Sequence, residues 1–252
     1  MLKSRTQRLL AAAVVLVVAL GAAGWWFFIR DDAPEAANID DASKTLDEQA
    51  AGNGDSSDTT TADGADATGL DGTWDVDPSI GSFDDFSGTY AGYRMEEQLA
   101  GVGATTAVGR TPDVTGDITI AGNQVTAGTF EVDMTTLQSD SGTRDAALHG
   151  RGLQSDQFPK GTFKLTEPVS IPTGLESGQQ ASTTAKGELT IHGTTKPVTV
   201  KVDTKMANGK VAVVGNAPVK LTDFGIEPPT GFRVLSIKDD GSFEFQIFFA
   251  KQ

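Results

Sequence analysis

One stretch of the chain, residues 186–200, constrains the fold more than any other, because apolar and polar side chains alternate along it. The apolar side chains share one face in each of two runs: Leu189 and Ile191, then Val198, Val200 and Val202. A period of two is typical of β-strands with one buried face. Gly193 lies between the runs, where a residue without a Cβ turns most easily. The stretch therefore predicts an antiparallel hairpin.

The same alternation recurs from Thr73 to the C-terminus in short runs separated by turn residues. Three dipeptides predict hairpin turns: Gly122-Asn123, Asn208-Gly209 and Asp240-Gly241. The period of two breaks between residues 139 and 152, where Asp140 or Thr143 is a candidate cap for a short helix. We count about eight to ten strands and at most two short helices. That pattern predicts an all-β domain, built as a sandwich or as a barrel.

Residues 186–200 also resemble the central strand pair of the YceI-like family. Further segments resemble the family in the same order along residues 72–250: residues 72–77, residues 114–120, Arg144-Asp145 with Leu148, residues 156–159 and residues 223–226. The resemblance implies a closed, lipocalin-like antiparallel barrel of about eight strands that binds a polyisoprenoid or similar lipid inside. The first strands differ from the common form of the family, so the chain looks like a divergent member.

An apolar ligand would be held mainly by aromatic side chains. The candidate ligand-binding residues are Phe86, Tyr90, Tyr93, Arg94, Arg110, Phe130, Phe163, Phe243, Phe245 and Ile247. The two arginines are candidates for an anionic head group; the alternative is that they are solvated cations paired with a carboxylate such as Glu96. The resemblance gives Arg144 and Asp145 a structural or gating role at the barrel mouth. His192 belongs to the same structural group, at the end of a strand.

The residues give little support to an enzyme. The chain has no cysteine and two histidines, His149 and His192, and it lacks the common nucleotide-binding and hydrolase motifs. We therefore expect no catalysis, no cofactor and no metal site. The net charge of -14 argues against binding to nucleic acid.

The N-terminus predicts a membrane anchor. Leu9 and Ile29 bound a run of 21 residues without charge, which is long enough to span ~30 Å of hydrocarbon as a helix. The basic residues Lys3, Arg5 and Arg8 precede it, which predicts a cytoplasmic N-terminus and an extracytoplasmic folded domain in the cell envelope. The alternative is a signal peptide cleaved after residues 21–23.

Residues 31–72 contain 12 acidic residues and one lysine, with few large apolar residues. This composition predicts a disordered acidic linker. The predicted organisation is therefore a cytoplasmic stub and transmembrane helix at residues 1–30, the linker at residues 31–72 and the barrel at residues 73–252.

Two hypotheses about function remain open. The first is a membrane-tethered module that carries a polyisoprenoid or other long-chain lipid inside the barrel. The second is a filled barrel that acts as a structural or interaction domain of the cell envelope. A second copy of the chain is retained as a candidate partner, in a homodimer.

Overall fold

The computed structural model describes residues 33–52, 69–231 and 233–252. Two α-helices precede and interrupt the strands: α1 (Ile39–Gly52) and α2 (Gly142–Ala147). The strands are β1 (Gly72–Val76), β2 (Tyr90–Leu99), β3 (Gly103–Thr111), β4 (Val114–Ala121), β5 (Gln124–Asp133), β6 (Gln138–Ser139), β7 (Lys160–Leu165), β8 (Val169–Ser170), β9 (Ala181–Ile191), β10 (Thr194–Ala207), β11 (Lys210–Lys220) and β12 (Val234–Lys251).

Eight strands close into an antiparallel barrel. They pair in the order β1-β4-β5-β7-β9-β10-β11-β12, and β1 pairs with β12 to complete the ring. Three further strands, β2, β3 and β6, extend from the other part of β12. The predicted all-β closed barrel is confirmed, and closure leaves no free edge along the ring.

Three tight turns were predicted correctly as hairpins. The β4–β5, β9–β10 and β10–β11 turns each place an asparagine or histidine in the left-handed region, at Asn123, His192 and Asn208. Gly193 and Gly209 follow with positive φ as well. Two successive positive φ angles match the twist of the flanking strands, which is why such pairs favour two-residue hairpins.

The predicted hairpin at Asp240-Gly241 is wrong. Residues 234–251 form the single strand β12, and its pairing with β11 begins at Asp240 and continues through Gly241 to Ala250. The irregularity lies on the other side, where the register with β2 shifts between Ile237 and Gly241. The dipeptide therefore makes a bulge, which bends a strand without reversing it.

Two smaller predictions also need correction. The sequence also predicts a single strand from Phe163 to Ile171, but the structure divides it into β7 and β8. Pro168, which has no N–H to donate, lies between them. The short helix is present as α2, but its cap is Ser141, whose Oγ accepts a hydrogen bond from Arg144 N at 3.4 Å.

The predicted disorder of residues 31–72 is wrong for residues 39–52, which form α1. Its buried side chains Ile39, Ala42 and Leu46 pack against the outer wall of the barrel at Ala212 and Phe248. Three well-spaced apolar residues are enough to bury one face of an amphipathic helix, even in an acidic segment.

No helix among the described residues is long and apolar enough to cross a membrane. The predicted span at residues 9–29 lies outside the described residues.

Candidate functional site

The barrel encloses an apolar cavity of about 240 Å³. Every strand of the ring contributes to its lining except β1. The lining residues lie on the inward face of their strands, and they include Gly128, Phe130, Phe163, Val200, Phe243, Phe245 and Ile247. The alternation predicted for these strands therefore directs one row of residues from each into a common interior.

Four phenylalanine rings keep part of their accessible surface inside the barrel. Phe130, Phe163, Phe243 and Phe245 line the cavity, yet each is only partly buried. Phe248, on the outward face of β12 beneath α1, is 0% exposed. Rings in a fully packed core lose nearly all of their accessible surface, so the surface that the four rings keep is that of an open cavity.

The part of the chain that the structure describes offers no charge to a ligand inside the cavity. Glu244 is the one ionisable residue among those that line it, and its carboxylate is bound on the outer side by Arg94 and Arg110. The threonines Thr162, Thr183 and Thr204 are the main polar side chains. Such an interior attracts hydrocarbon through burial of apolar surface and through dispersion.

Five of the ten predicted ligand-binding residues line the cavity: Phe130, Phe163, Phe243, Phe245 and Ile247. Tyr93 also points inward, but it lies in a packed cluster with Met95 and Leu137 and does not line the cavity. Burial raises the pKa of the Tyr93 hydroxyl well above its usual range, and this buried hydroxyl has no hydrogen-bond partner.

The other four predicted residues meet on the outer wall. Arg110 stacks on two rings, with its guanidinium carbon 4.6 Å from the centroid of Phe86 and 4.3 Å from that of Tyr90. Its Nη2 donates to Glu244 at 2.7 Å, and Arg94 Nε donates to the second oxygen at 3.1 Å. Burial raises the pKa of Tyr90 to about 12. Neither the solvated-cation interpretation nor the cavity role describes Arg110, which is 2% exposed.

Arg144 and Asp145 fasten α2 to the sheet. Arg144 Nη2 donates to Glu97 at 2.6 Å, and Nη1 donates to Asp140. Asp145 accepts hydrogen bonds from Ser139 N at 2.9 Å and Ser139 Oγ at 2.6 Å. Burial by itself would lower the pKa of Arg144, but the bond to Glu97 outweighs it and the pKa lies above its ordinary value. Both residues make structural contacts and do not line the cavity.

His192 closes the turn between β9 and β10. Its Nδ1 lies 3.2 Å from the carbonyl oxygen of Phe224, and its ring lies 4.5 Å from that of Phe158. Nε2 is buried without a partner. Among the described residues, no group of three or more His, Cys, Asp or Glu is placed to hold a metal ion.

Sequence reasoning missed the aliphatic part of the lining. Leu189, Val198 and Val200 were recognised as one face of a hairpin but not as cavity residues. Gly128 was missed entirely, although a glycine within a strand often marks a site where a ligand or another part of the chain comes close to the backbone. The three atoms nearest to a Cβ at Gly128 would belong to the cavity-lining side chains of Ile118, Phe130 and Leu165, at 3.4 to 3.7 Å.

Comparison with known proteins identifies the family. The model of the YceI-like domain matches residues 74–249, which is more than half of the chain and contains every strand of the barrel except the ends of β1 and β12. This protein belongs to the YceI-like family. The resemblance found in the hairpin at residues 186–200 is thereby confirmed.

Relatives of this YceI-like protein share less than a third of their aligned residues with it. A UPF0312 protein of Shewanella sp. (strain W3-18-1) is 28% identical over 139 residues, which cover 52% of this chain and 69% of the relative. A UPF0312 protein of Pseudomonas aeruginosa (strain LESB58) is 29% identical over 146 residues, which cover 54% and 72%. The solved polyisoprenoid binding domain from Saccharophagus degradans, implicated in plant cell wall breakdown, superposes with a TM-score of 0.53 at 10% identity, covering 71% of this chain and 98% of that domain.

Proposed function

We propose that this protein binds a polyisoprenoid, or a similar long apolar lipid, inside its barrel, and acts as a binding protein rather than an enzyme. The observation that carries the proposal is the open apolar interior of about 240 Å³, around which four phenylalanines keep accessible surface. The solved domain from Saccharophagus degradans shares the fold and is described as binding polyisoprenoid. That description supports the same class of ligand here.

The chemistry of the lining supports a hydrocarbon chain. Each buried CH₂ group contributes ~0.8 kcal/mol to binding. Among the described residues, no charged side chain projects into the cavity to hold a polar head group, because Glu244 is bound to two arginines on the outer side. We therefore propose that the chain of the lipid lies inside and any polar head remains outside the lining.

The alternative function, a filled barrel used only for structure or interaction, is less favoured. It requires the inward rings to pack as closely as Phe248 does, and Phe130 and Phe245 do not. The two functions make opposite predictions for a side chain added to the interior, since a full core has no room for one.

Native mass spectrometry of the protein released from gentle detergent tests the proposal, since bound lipid adds a fixed mass. The informative variant is Gly128→Leu, because Gly128 lines the cavity and the three atoms nearest to an added Cβ all belong to side chains. We expect this variant to fold and to lose the added mass. Ala127→Leu is the matched control, since Ala127 is the exposed neighbour on the same strand.

Two results would contradict lipid binding. One is a wild-type protein that carries no added mass after purification from lipid-rich membranes and acquires none on incubation with a polyprenol. The other is a Gly128→Leu variant that keeps the full amount of bound lipid. The filled barrel would be favoured if the Gly128→Leu variant unfolds and the wild-type protein also carries no lipid.

We also propose that residues 9–29 tether the folded domain to a membrane on its extracytoplasmic side. The support is the uncharged run of 21 residues preceded by Lys3, Arg5 and Arg8. The test is fractionation of cells combined with protease added outside intact spheroplasts. We expect the domain to stay with the membranes and to be digested. A soluble form that begins near Gly24 would instead indicate cleavage of a signal peptide.

A further inference from the structure

The barrel wall has a seam beside β12. On one side of β12, β1 pairs with residues 249–251 and β2 pairs with residues 234–246, and residues 77–89 leave the wall between them. At the gap, Phe248 O accepts from Asp77 N at 2.8 Å, and Phe248 N donates to the hydroxyl of Thr89 at 3.2 Å. The next strand is also interrupted, since β3 ends at Thr111 and β4 begins at Val114. The ladder is therefore interrupted at this point of the ring.

The inner side of the seam is the cavity itself. Ala91 from β2, Val114 from β4 and Ile247 from β12 all line the cavity next to the gap. β1 and β2 lie end to end along the same side of β12. A wider gap between the end of β1 and the start of β2 would therefore open directly into the apolar interior.

The outer side of the seam is covered by the segment of residues 33–52, which we call the strap. The apolar face of α1 in the strap, with Ile39 and Ala42, packs in one cluster with Ile80 and Phe248 at the gap. The strap lies outside residues 74–249, which match the family model.

The strap is attached by side-chain contacts and not by a strand ladder. Arg94 Nη2 donates to the carbonyl oxygen of Pro34 at 2.6 Å, and Arg110 Nη2 donates to that of Glu35 at 2.5 Å. At the far end, Asn208 Nδ2 donates to the carbonyl oxygen of Leu46 at 3.3 Å. Segments held by few contacts open locally at lower free-energy cost than the sheets beneath them.

Buried apolar side chains lie near both ends of the barrel. Ile171 and Leu175 pack across the end that holds the β4–β5 turn. Leu137, Leu153 and Phe224 pack across the end that holds α2 and the His192 turn. A packed cluster also covers the seam, but it consists in part of the strap residues Ile39, Ala42 and Leu46. Among the described residues, the strap is not paired with any barrel strand.

We propose that the seam beside β12 is the entrance to the cavity and that the strap is its gate. The strap lifts from the outer wall, β1 and β2 separate beside Phe248, and an apolar chain passes between them into the interior. The proposal rests on the proposed function, in that it takes the cavity to be the binding site.

An engineered disulfide in the full-length protein in detergent tests the gate, because the chain has no cysteine of its own. Ala42→Cys with Ala212→Cys joins the strap to the wall, since both alanines are 0% exposed and lie in one cluster. Ser182→Cys with Asp203→Cys is the matched control, because these side chains already touch across β9 and β10. The measurement is the rate at which N-phenyl-1-naphthylamine gains fluorescence on entering the cavity.

We expect oxidation to slow uptake by at least about tenfold in the strap pair and to leave the control pair unchanged. A second variant, Ile39→Ala with Leu46→Ala, loosens the strap and should speed uptake by at least about threefold. Equal rates in oxidised, reduced and loosened proteins would overturn the gate and leave lipid binding intact. Absence of uptake in the wild type and in the loosened variant would overturn both the gate and the proposed function.

Discussion

Arg110 and Glu244 form a buried ion pair between β3 and β12, on the outer face of the same strand whose inner face lines the cavity. Arg110 donates to one oxygen of Glu244 from Nε at 2.9 Å and from Nη2 at 2.7 Å, and both side chains are 2% exposed. A third group, Arg94, binds the other oxygen. Outward side chains of a barrel strand normally meet water. Here the strap and residues 77–89 cover them, so the barrel has a second, partly charged core outside its wall.

Replacing Glu244 by Gln should lower the free energy of unfolding by ~3–5 kcal/mol, because it leaves the buried guanidinium group of Arg110 and the partly buried one of Arg94 without a counter-charge. Urea denaturation followed by tryptophan fluorescence measures the change. Glu131→Gln is the control, since Glu131 pairs with Lys160 on the surface, where an ion pair contributes at most ~1 kcal/mol. Equal effects of the two substitutions would show that the Glu244 pair is not effectively buried.

Leu46→Ala should lower the free energy of unfolding by ~2–4 kcal/mol, because Leu46 is 3% exposed and packs beneath α1. The disordered linker predicted from the sequence would give no change. Glu48→Ala in the same helix is the control, with an expected effect within ~0.5 kcal/mol because its side chain is 69% exposed. A thermal melt of both variants against wild type distinguishes a docked helix from a free one.

Gly215→Ala should destabilise the protein by ~1–3 kcal/mol through overpacking. Gly215 lies opposite Phe245, and an added Cβ would come within 2.0 Å of the ring. Phe245→Ala removes that ring, so the double variant should be more stable than the sum of the two single changes predicts. A coupling energy of ~0.5–3 kcal/mol in a double-mutant cycle is expected, and additive effects would place the ring elsewhere.

Stability should fall as the pH drops below ~5, because several carboxyl groups have lowered pKa values in the folded state. For Asp77, burial raises the pKa, but hydrogen bonds from Lys210 and Ser79 outweigh it and the pKa lies below its ordinary value. The pKa of Asp77 is lower in the folded state than in the unfolded state. Its contribution to stability is therefore present at a pH above the unfolded-state pKa and is lost as the pH falls through the folded-state pKa. Asp77→Asn should therefore show a shallower loss of stability between pH 5 and pH 3 than wild type in urea titrations. An identical slope would show that Asp77 does not contribute.

The sequence by itself determined the class of fold and most of the strands. Alternation at residues 186–200 and the Asn208-Gly209 turn required only local chemistry, namely a period of two and residues that tolerate positive φ. The same alternation directed Phe243, Phe245 and Ile247 inward, so half of the predicted ligand-binding residues line the cavity. Family resemblance in ordered segments then selected the barrel over the sandwich.

Only the tertiary structure decided what covers the outside of the barrel and whether the inside is full. Asp240-Gly241 makes a bulge and not a turn because β11 and β2 hold β12 on both sides, over pairings far apart in sequence. Arg110 could not be placed from the sequence, since its partners Glu244 and Glu35 lie at the two ends of the chain. Cavity volume depends on how all the inward side chains pack together, which no local pattern specifies.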